Sequence, residues 1–216
     1  AQALRVILEK NALPFITGTL CAHNCMYKCT RNFYEEPVNI RNTKLIAAQN
    51  GYDTVIGEIK AGTADGKKVA VVGAITELDD AGIASAYFLA RAGASVTVFE
   101  KEEKAGGVIR YVIPGFRISD DAIDKDVSFI QKMGVEIKTG TEVKSVQELK
   151  AQGYDAVIVA TGANKPGTLK LEKGETINAL KFLRDFKATG GKVALGKNVV
   201  VIGGGNTAMD TARAAK

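Results

Sequence analysis

Three groups of residues in this chain could do chemistry. The first is a run of thiols. Cys21, Cys25 and Cys29 follow one another as C-x3-C-x3-C, with the chain's single histidine, His23, among them. Thiolates are the ligands of iron–sulfur clusters, and a cubane takes four. A zinc site built from Cys21, His23, Cys25 and Cys29 is a second option, although the paired C-x2-C spacing of most such sites is missing. Three reduced thiols in a helical segment are the third. An odd number of cysteines packed into one short stretch argues against a secreted disulfide framework.

The second group lies in residues 67–100. Val69-Ala70-Val71-Val72 is an apolar run ending at Gly73, residues 81–92 carry apolar side chains at helical spacing, and Val96-Thr97-Val98-Phe99 leads to Glu100. Strand, helix, strand and terminal acid make the first βαβ unit of a dinucleotide-binding fold. In that unit the helix N-terminus offers N–H groups to a pyrophosphate, glycines let the backbone approach it, and the acid accepts hydrogen bonds from ribose hydroxyls. Gly82 stands 18 residues before Glu100, the distance expected of the last fingerprint glycine, whereas Gly73 stands 27 before it. About four residues are therefore inserted into the G-x-G-x-x-G pattern, and its middle glycine is missing. Glu77, Asp79 and Asp80 fall in this longer turn, where like charges oppose a diphosphate.

The third group, Gly203-Gly204-Gly205-Asn206-Thr207-Ala208, follows Val199-Val200-Val201-Ile202 and fits G-x-G-x-x-A without insertion. It opens a second unit of the same kind, with residues 198–202 expected as its strand.

These groups must be positioned by an α/β frame. Residues 2–10 read as an amphipathic helix ended near Pro14. A helix over 40–49 is stopped by Gly51, and a second short one covers 53–60. The small, polar stretch 61–68 reads as a linker. Lys101 to Gly107 read as a loop. Ser119 caps a helix to about Met133, with Asp120 and Asp121 favourable in its first turn. Residues 135–138 and 155–160 read as strands, 146–152 and 176–187 as helices, and 165–174 as irregular chain.

Composition narrows the function. The net charge is +5 over 216 residues, but Lys and Arg are scattered among acids, which argues against nucleic-acid binding. No apolar run reaches the length of a membrane span and no signal-peptide pattern opens the chain, so neither a membrane partner nor a leader is expected and the cytoplasm is the expected compartment.

Taken together, Leu13-Pro14-Phe15-Ile16-Thr17-Gly18 before the cysteines, the 67–100 unit, Gly106-Gly107 with Ile113-Pro114 and Arg117, Ala160-Thr161-Gly162, and the 203–208 turn cover essentially the whole chain in one order. This order resembles the FAD- and NAD(P)-dependent subunit shared by glutamate synthase small chains, dihydropyrimidine dehydrogenase and selenate reductase subunits, the last being nearest. The resemblance implies a helical iron–sulfur-type segment over 1–62, a Rossmann-type FAD-binding domain with a parallel sheet over 63–165, a linker with one helix over 166–197, and the start of an NAD(P)-binding Rossmann unit over 198–216. It implies FAD contacts at Gly73, Gly82, Glu100, Gly106, Gly107, Arg117, Thr161 and Gly162. NAD(P)H contacts fall at Gly203, Gly205, Asn206 and Thr207, and [4Fe–4S] ligation at Cys21, Cys25 and Cys29, with Cys29 serving a different cluster and the ligand set incomplete. Hydride would pass from NAD(P)H to the flavin, and electrons would leave through iron–sulfur clusters to a partner reductase or synthase subunit. No side chain is expected to act as acid, base or nucleophile, because the cofactors carry the chemistry. The chain is expected to be an internal fragment of such a protein, inactive without the rest of the parent chain. The rival is a non-catalytic interaction or scaffolding module that keeps the fold and has lost FAD through the acidic insert.

Overall fold

The computed structural model describes residues 1–74, 81–162, 167, 169 and 171–216. Four parallel strands carry the structure: β1 (Lys68–Val72), β2 (Ser95–Phe99), β3 (Glu136–Lys138) and β4 (Ala156–Val159), in the order β3-β2-β1-β4. Val69 pairs with Val96 on one side and Ala156 on the other, and Val71 with Val98 and Ile158. Strand β3 joins at Thr97–Glu136. The two runs expected as strands of one flavin-type unit, 69–73 and 155–160, are thus neighbours in one sheet.

Helices α1 (Gln2–Leu8), α2 (Pro14–Leu20) and α3 (Ile40–Glu58) precede the sheet. Two 3-10 turns, Asn24–Lys28 and Thr30–Phe33, follow α2. Helix α4 (Ala81–Ala92) crosses from β1 to β2, and α5 (Gly107–Tyr111) and α6 (Asp120–Lys132) from β2 to β3. Helix α7 (Val146–Ala151) precedes β4, and α8 (Ala179–Ala188) and α9 (Asn206–Ala214) complete the order.

The period of two along the strands sorts their side chains into two layers. Val69, Val71, Val96 and Val98 face α4 and α6, sharing one core with Ile83, Tyr87, Ile123 and Phe129. Ala70, Val72 and Phe99 face the other way, against Leu149 of α7 and Tyr154. The first core continues without a break into the N-terminal helices through Leu4, Leu8, Phe15 and Ile16. Polar contacts fasten the same seam. The Tyr87 hydroxyl and Arg91 Nη1 donate to the Leu8 carbonyl at 3.0 and 2.9 Å. The fully buried Asp126 carboxylate of α6 accepts from the Phe15 and Ile16 amides at 3.1 and 2.7 Å. Leu13 at the α2 N-cap contributes no side-chain cap, so a carboxylate from a distant helix satisfies the open amides instead.

Several local expectations are corrected. Gly51 does not stop a helix; α3 runs through it as one piece, and no second helix begins at 53. A Cβ at Gly51 would lie 3.0 Å from Leu4 Cβ, so the glycine serves close packing between α1 and α3. Helix α1 already ends at Leu8, ahead of Pro14, and Pro14 instead opens α2, where a missing N–H costs nothing. Gly107 begins a short helix instead of closing a loop. The helix expected at 176 starts at Ala179, capped by Asn178. Residues 198–202 are not a strand: among the described residues none pairs with them, and an apolar run without a ladder partner stays irregular. Ser119 caps α6 as expected, accepting from the Ala122 amide at 3.3 Å.

Replacing Asp126 by alanine strands two buried amides and is expected to cost about 3 kcal/mol. That corresponds to a melting temperature lower by roughly 10 °C in calorimetry, with a smaller loss for Asp126→Asn, whose amide oxygen still accepts.

Candidate functional site

The C-terminal ends of β1, β2 and β4 open into a cleft of about 670 Å³. Open parallel sheets bind ligands at that edge. Gly73 follows β1 with φ +92°, and a Cβ there would sit 2.1 Å from the Ala160 carbonyl oxygen. Its amide donates to the Phe99 carbonyl at 2.8 Å. Gly82 lies in the first turn of α4, where a Cβ would meet the Gly73 carbonyl oxygen at 2.0 Å. The Ile83 amide closes this contact on the Ala74 carbonyl at 2.8 Å. Both glycines are thus required by backbone standing against backbone.

Glu100 caps β2 and is only 4% exposed. Its Oε2 accepts from the Ala74 amide at 3.1 Å and its Oε1 from the Glu102 amide at 3.0 Å. The carboxylate lines the cleft with acceptor capacity left on both oxygens. Gly107, Thr161 and Gly162 also line it, Gly162 with φ +71°. Gly106 lies beside the wall with φ +142°, and a Cβ there would come 2.5 Å from Arg110 Cβ. Arg110 of α5 is buried, its Nε donating to the Ala105 carbonyl at 2.6 Å and its Nη2 to Asp124, with Asp120 3.6 Å from Nη1. Lys187 of α8 donates to the Ile113 carbonyl at 2.9 Å; burial pushes its ammonium pKa down, against the nearby Asp120.

The outer wall comes from α8. Arg184 pairs with Glu102 at 2.7 Å and lies 5.6 Å from the centre of the Tyr111 ring. Lys181 and Asn178 line the same wall. These four, with Tyr111, escaped the sequence reading. Glu102 sits two residues past an expected ribose acid and could have been flagged; Arg184 is 82 residues further on and carries no local signal.

The other expected residues lie elsewhere. Arg117 does not line this cleft; it pairs with Asp210 and borders a smaller hollow of about 220 Å³ beside Phe15 and Lys125. Gly203, Gly205, Asn206 and Thr207 are exposed at the start of α9, Gly203 with φ +130°. The acidic stretch at 77–80 lies outside the described residues, as do parts of the 165–174 connection.

Cys21, Cys25 and Cys29 are free thiols. The His23 amide donates to Cys21 Sγ at 3.4 Å. Among the described residues no three His, Cys, Asp or Glu side chains gather as a metal-binding group, so the thiols as placed do not fit a cluster. Backbone N–H groups of Val38 and Arg31 hold the Cys29 thiol below the usual cysteine range. Among the described residues no helix is long and apolar enough to cross a membrane.

Residues 67–216 match the pyridine nucleotide-disulphide oxidoreductase family. The chain belongs to that family. Along its whole length it is 44% identical to YgfK of Escherichia coli (strain K12), which is described as an oxidoreductase, and it spans 21% of that protein. Over 99% of its length it is 33% identical to the NADP(+)-dependent formate dehydrogenase subunit beta of Moorella thermoacetica, spanning 34% of it. Over 97% it is 33% identical to the glutamate synthase [NADPH] small chain of Bacillus subtilis (strain 168), spanning 45% of it. The chain therefore covers less than half of each of these relatives. The expected kinship with glutamate synthase small chains, and the α/β frame of a flavin- and pyridine-nucleotide-type oxidoreductase, both hold.

Two measurements test this geometry. Gly82→Ala places a methyl group inside the Gly73 carbonyl contact and is expected to lower unfolding free energy in urea by about 3 kcal/mol. Alkylation of Cys29 by iodoacetamide is expected to reach its plateau rate at a lower pH than a free cysteine, because the thiolate is the nucleophile and its pKa is depressed.

Proposed function

We propose that this chain is the flavin-binding part, with the start of the nicotinamide-binding part, of an oxidoreductase that takes electrons from NAD(P)H through FAD to a partner subunit. The observation that carries the proposal is Glu100: a buried carboxylate at the end of β2, held toward the cleft by two backbone amides, beside glycines that admit no side chain. A carboxylate in that position suits the vicinal hydroxyls of a ribose. The cleft is also large enough for part of a dinucleotide.

Each residue then has a stated task. Gly73 and Gly82 bring the first turn of α4 to the edge of the sheet, where its amides face a diphosphate. Glu100 accepts from the ribose. Gly106 and Gly107 let α5 start against the cleft wall, and Thr161 with Gly162 closes the side beyond β4. When bound, FAD supplies the hydride acceptor and the means of releasing electrons singly. The protein binds, orients and shields it. Gly203, Gly205, Asn206 and Thr207 form the turn that we assign to NAD(P)H. The domain limits are proposed at 62/63, 165/166 and 197/198.

The partner subunit is proposed from the relatives, two of which are named as a subunit beta and a small chain. An iron–sulfur role for Cys21, Cys25 and Cys29 requires thiolates beyond these three, since a cubane takes four, and no step is assigned to it here. The chain alone is proposed to lack turnover.

Purified protein from flavin-replete cells is expected to be yellow, and added FAD to raise its melting temperature. Glu100→Ala removes two charge-assisted hydrogen bonds to the ribose and is expected to weaken FAD at least roughly tenfold in a fluorescence titration. A colourless protein whose melting ignores FAD would overturn the flavin reading in favour of a scaffolding module.

A further inference from the structure

Helix α9 follows the glycine turn at 203–205 and packs on α8. Residues 198–202 pair with no strand among the described residues, and Val200 and Ile202 are 86% and 65% exposed. Side chains of the segment leaving the flavin cleft wall hold it as well. Arg117 Nη1 donates to both oxygens of Asp210, at 2.8 and 3.0 Å. Asp210 lies one turn into α9 and is 8% exposed. Three residues further on, the Arg213 guanidinium lies 4.3 Å from the centre of the Phe116 ring. Ala214 and Ala215 close the contact against Val112, Phe182 and Leu183. Val112 lines the cleft itself, and Lys187 of α8 holds the Ile113 carbonyl, so residues 112–117 are gripped from both sides.

The energetics favour one seat for α9. An exposed ion pair adds little. A covered carboxylate that loses its guanidinium is left uncompensated, which is costly. Asp210 is covered and Arg117 is partly so, with the side chains 11% and 29% exposed. Sliding or rotating α9 by one turn would bury the charge without its partner and unstack Arg213 from Phe116.

We propose that Arg117 and Asp210 are positioning residues. With Phe116 and Arg213 they lock α9, the first helix of the nicotinamide unit, against the wall of the flavin cleft. The mutual placement of the two nucleotides then depends on this clasp together with the packing of α9 on α8. The inference rests on the function proposed above in assigning α9 to the nicotinamide unit.

The test is hydrogen–deuterium exchange of the whole chain, with an FAD titration run on the same samples. Asp210→Asn is expected to speed exchange of amides 208–215 at least roughly tenfold, to leave β1 and β2 amides unchanged, and to keep FAD affinity within about twofold of the parent sequence. Arg117→Lys keeps a cation opposite Asp210 and is expected to retain most of the protection. The exchanged pair Arg117→Asp with Asp210→Arg is expected to restore it to within about threefold. Unchanged α9 exchange in Asp210→Asn overturns the clasp, as does failure of both rescues. Weaker FAD with α9 protection intact overturns it too, by assigning the pair to the flavin site. If the parent sequence binds no FAD, the flavin reading falls by itself, and the exchange data still decide whether the clasp exists.

Discussion

Everything at the functional edge depends on how closely four backbone segments meet at Gly73. The end of β1 turns there with φ +92°, the carbonyl of Ala160 fills the place where a side chain would be, and Gly82 rides on the Gly73 carbonyl. The Gly73 amide is meanwhile bound to the end of β2 through Phe99. No residue larger than glycine fits at either position without moving a strand or a helix. This steric constraint brings Glu100, the first turn of α4 and the Thr161–Gly162 turn to one cleft. The carboxylate of Glu100 then ties the assembly together by holding the amide of Ala74.

The N-terminal helices are joined to this frame and do not hang from it. Their apolar residues share one core with β1 and β2, and the buried Asp126 supplies the acceptors that α2 cannot supply for itself. The stretch 61–66 is also laid down, its Gly62 and Asp65 amides bound to carbonyls at the end of α4. The cysteine-bearing turns contrast with this. They contribute no buried residue, and Tyr27, Phe33 and Tyr34 are exposed around them.

Much of the frame was legible because it rests on local patterns. Apolar runs of β-branched residues marked β1, β2 and β4, Ser119 marked the start of α6, and the distance from Gly82 to Glu100 marked the nucleotide unit despite its lengthened turn. What escaped depended on contacts between distant residues. Gly51 looked like a helix stop because its packing against Leu4, 47 positions away, leaves no local trace. The α8 wall of the cleft escaped because Arg184 meets Glu102 only through the fold. The pairing of Arg117 with Asp210 spans 93 positions and leaves no local trace either. Residues 198–202 had the composition of a strand but no neighbour to pair with, and composition alone does not make a ladder.

That last stretch has a consequence for how the molecule behaves in a crowded solution. Val199, Val200 and Ile202 present an exposed, uncharged, β-prone run that pairs with no strand among the described residues. Such a run does not discriminate between a cognate strand and a copy of itself. The same few residues suited to knitting a sheet are therefore an aggregation hazard wherever they stand unpaired.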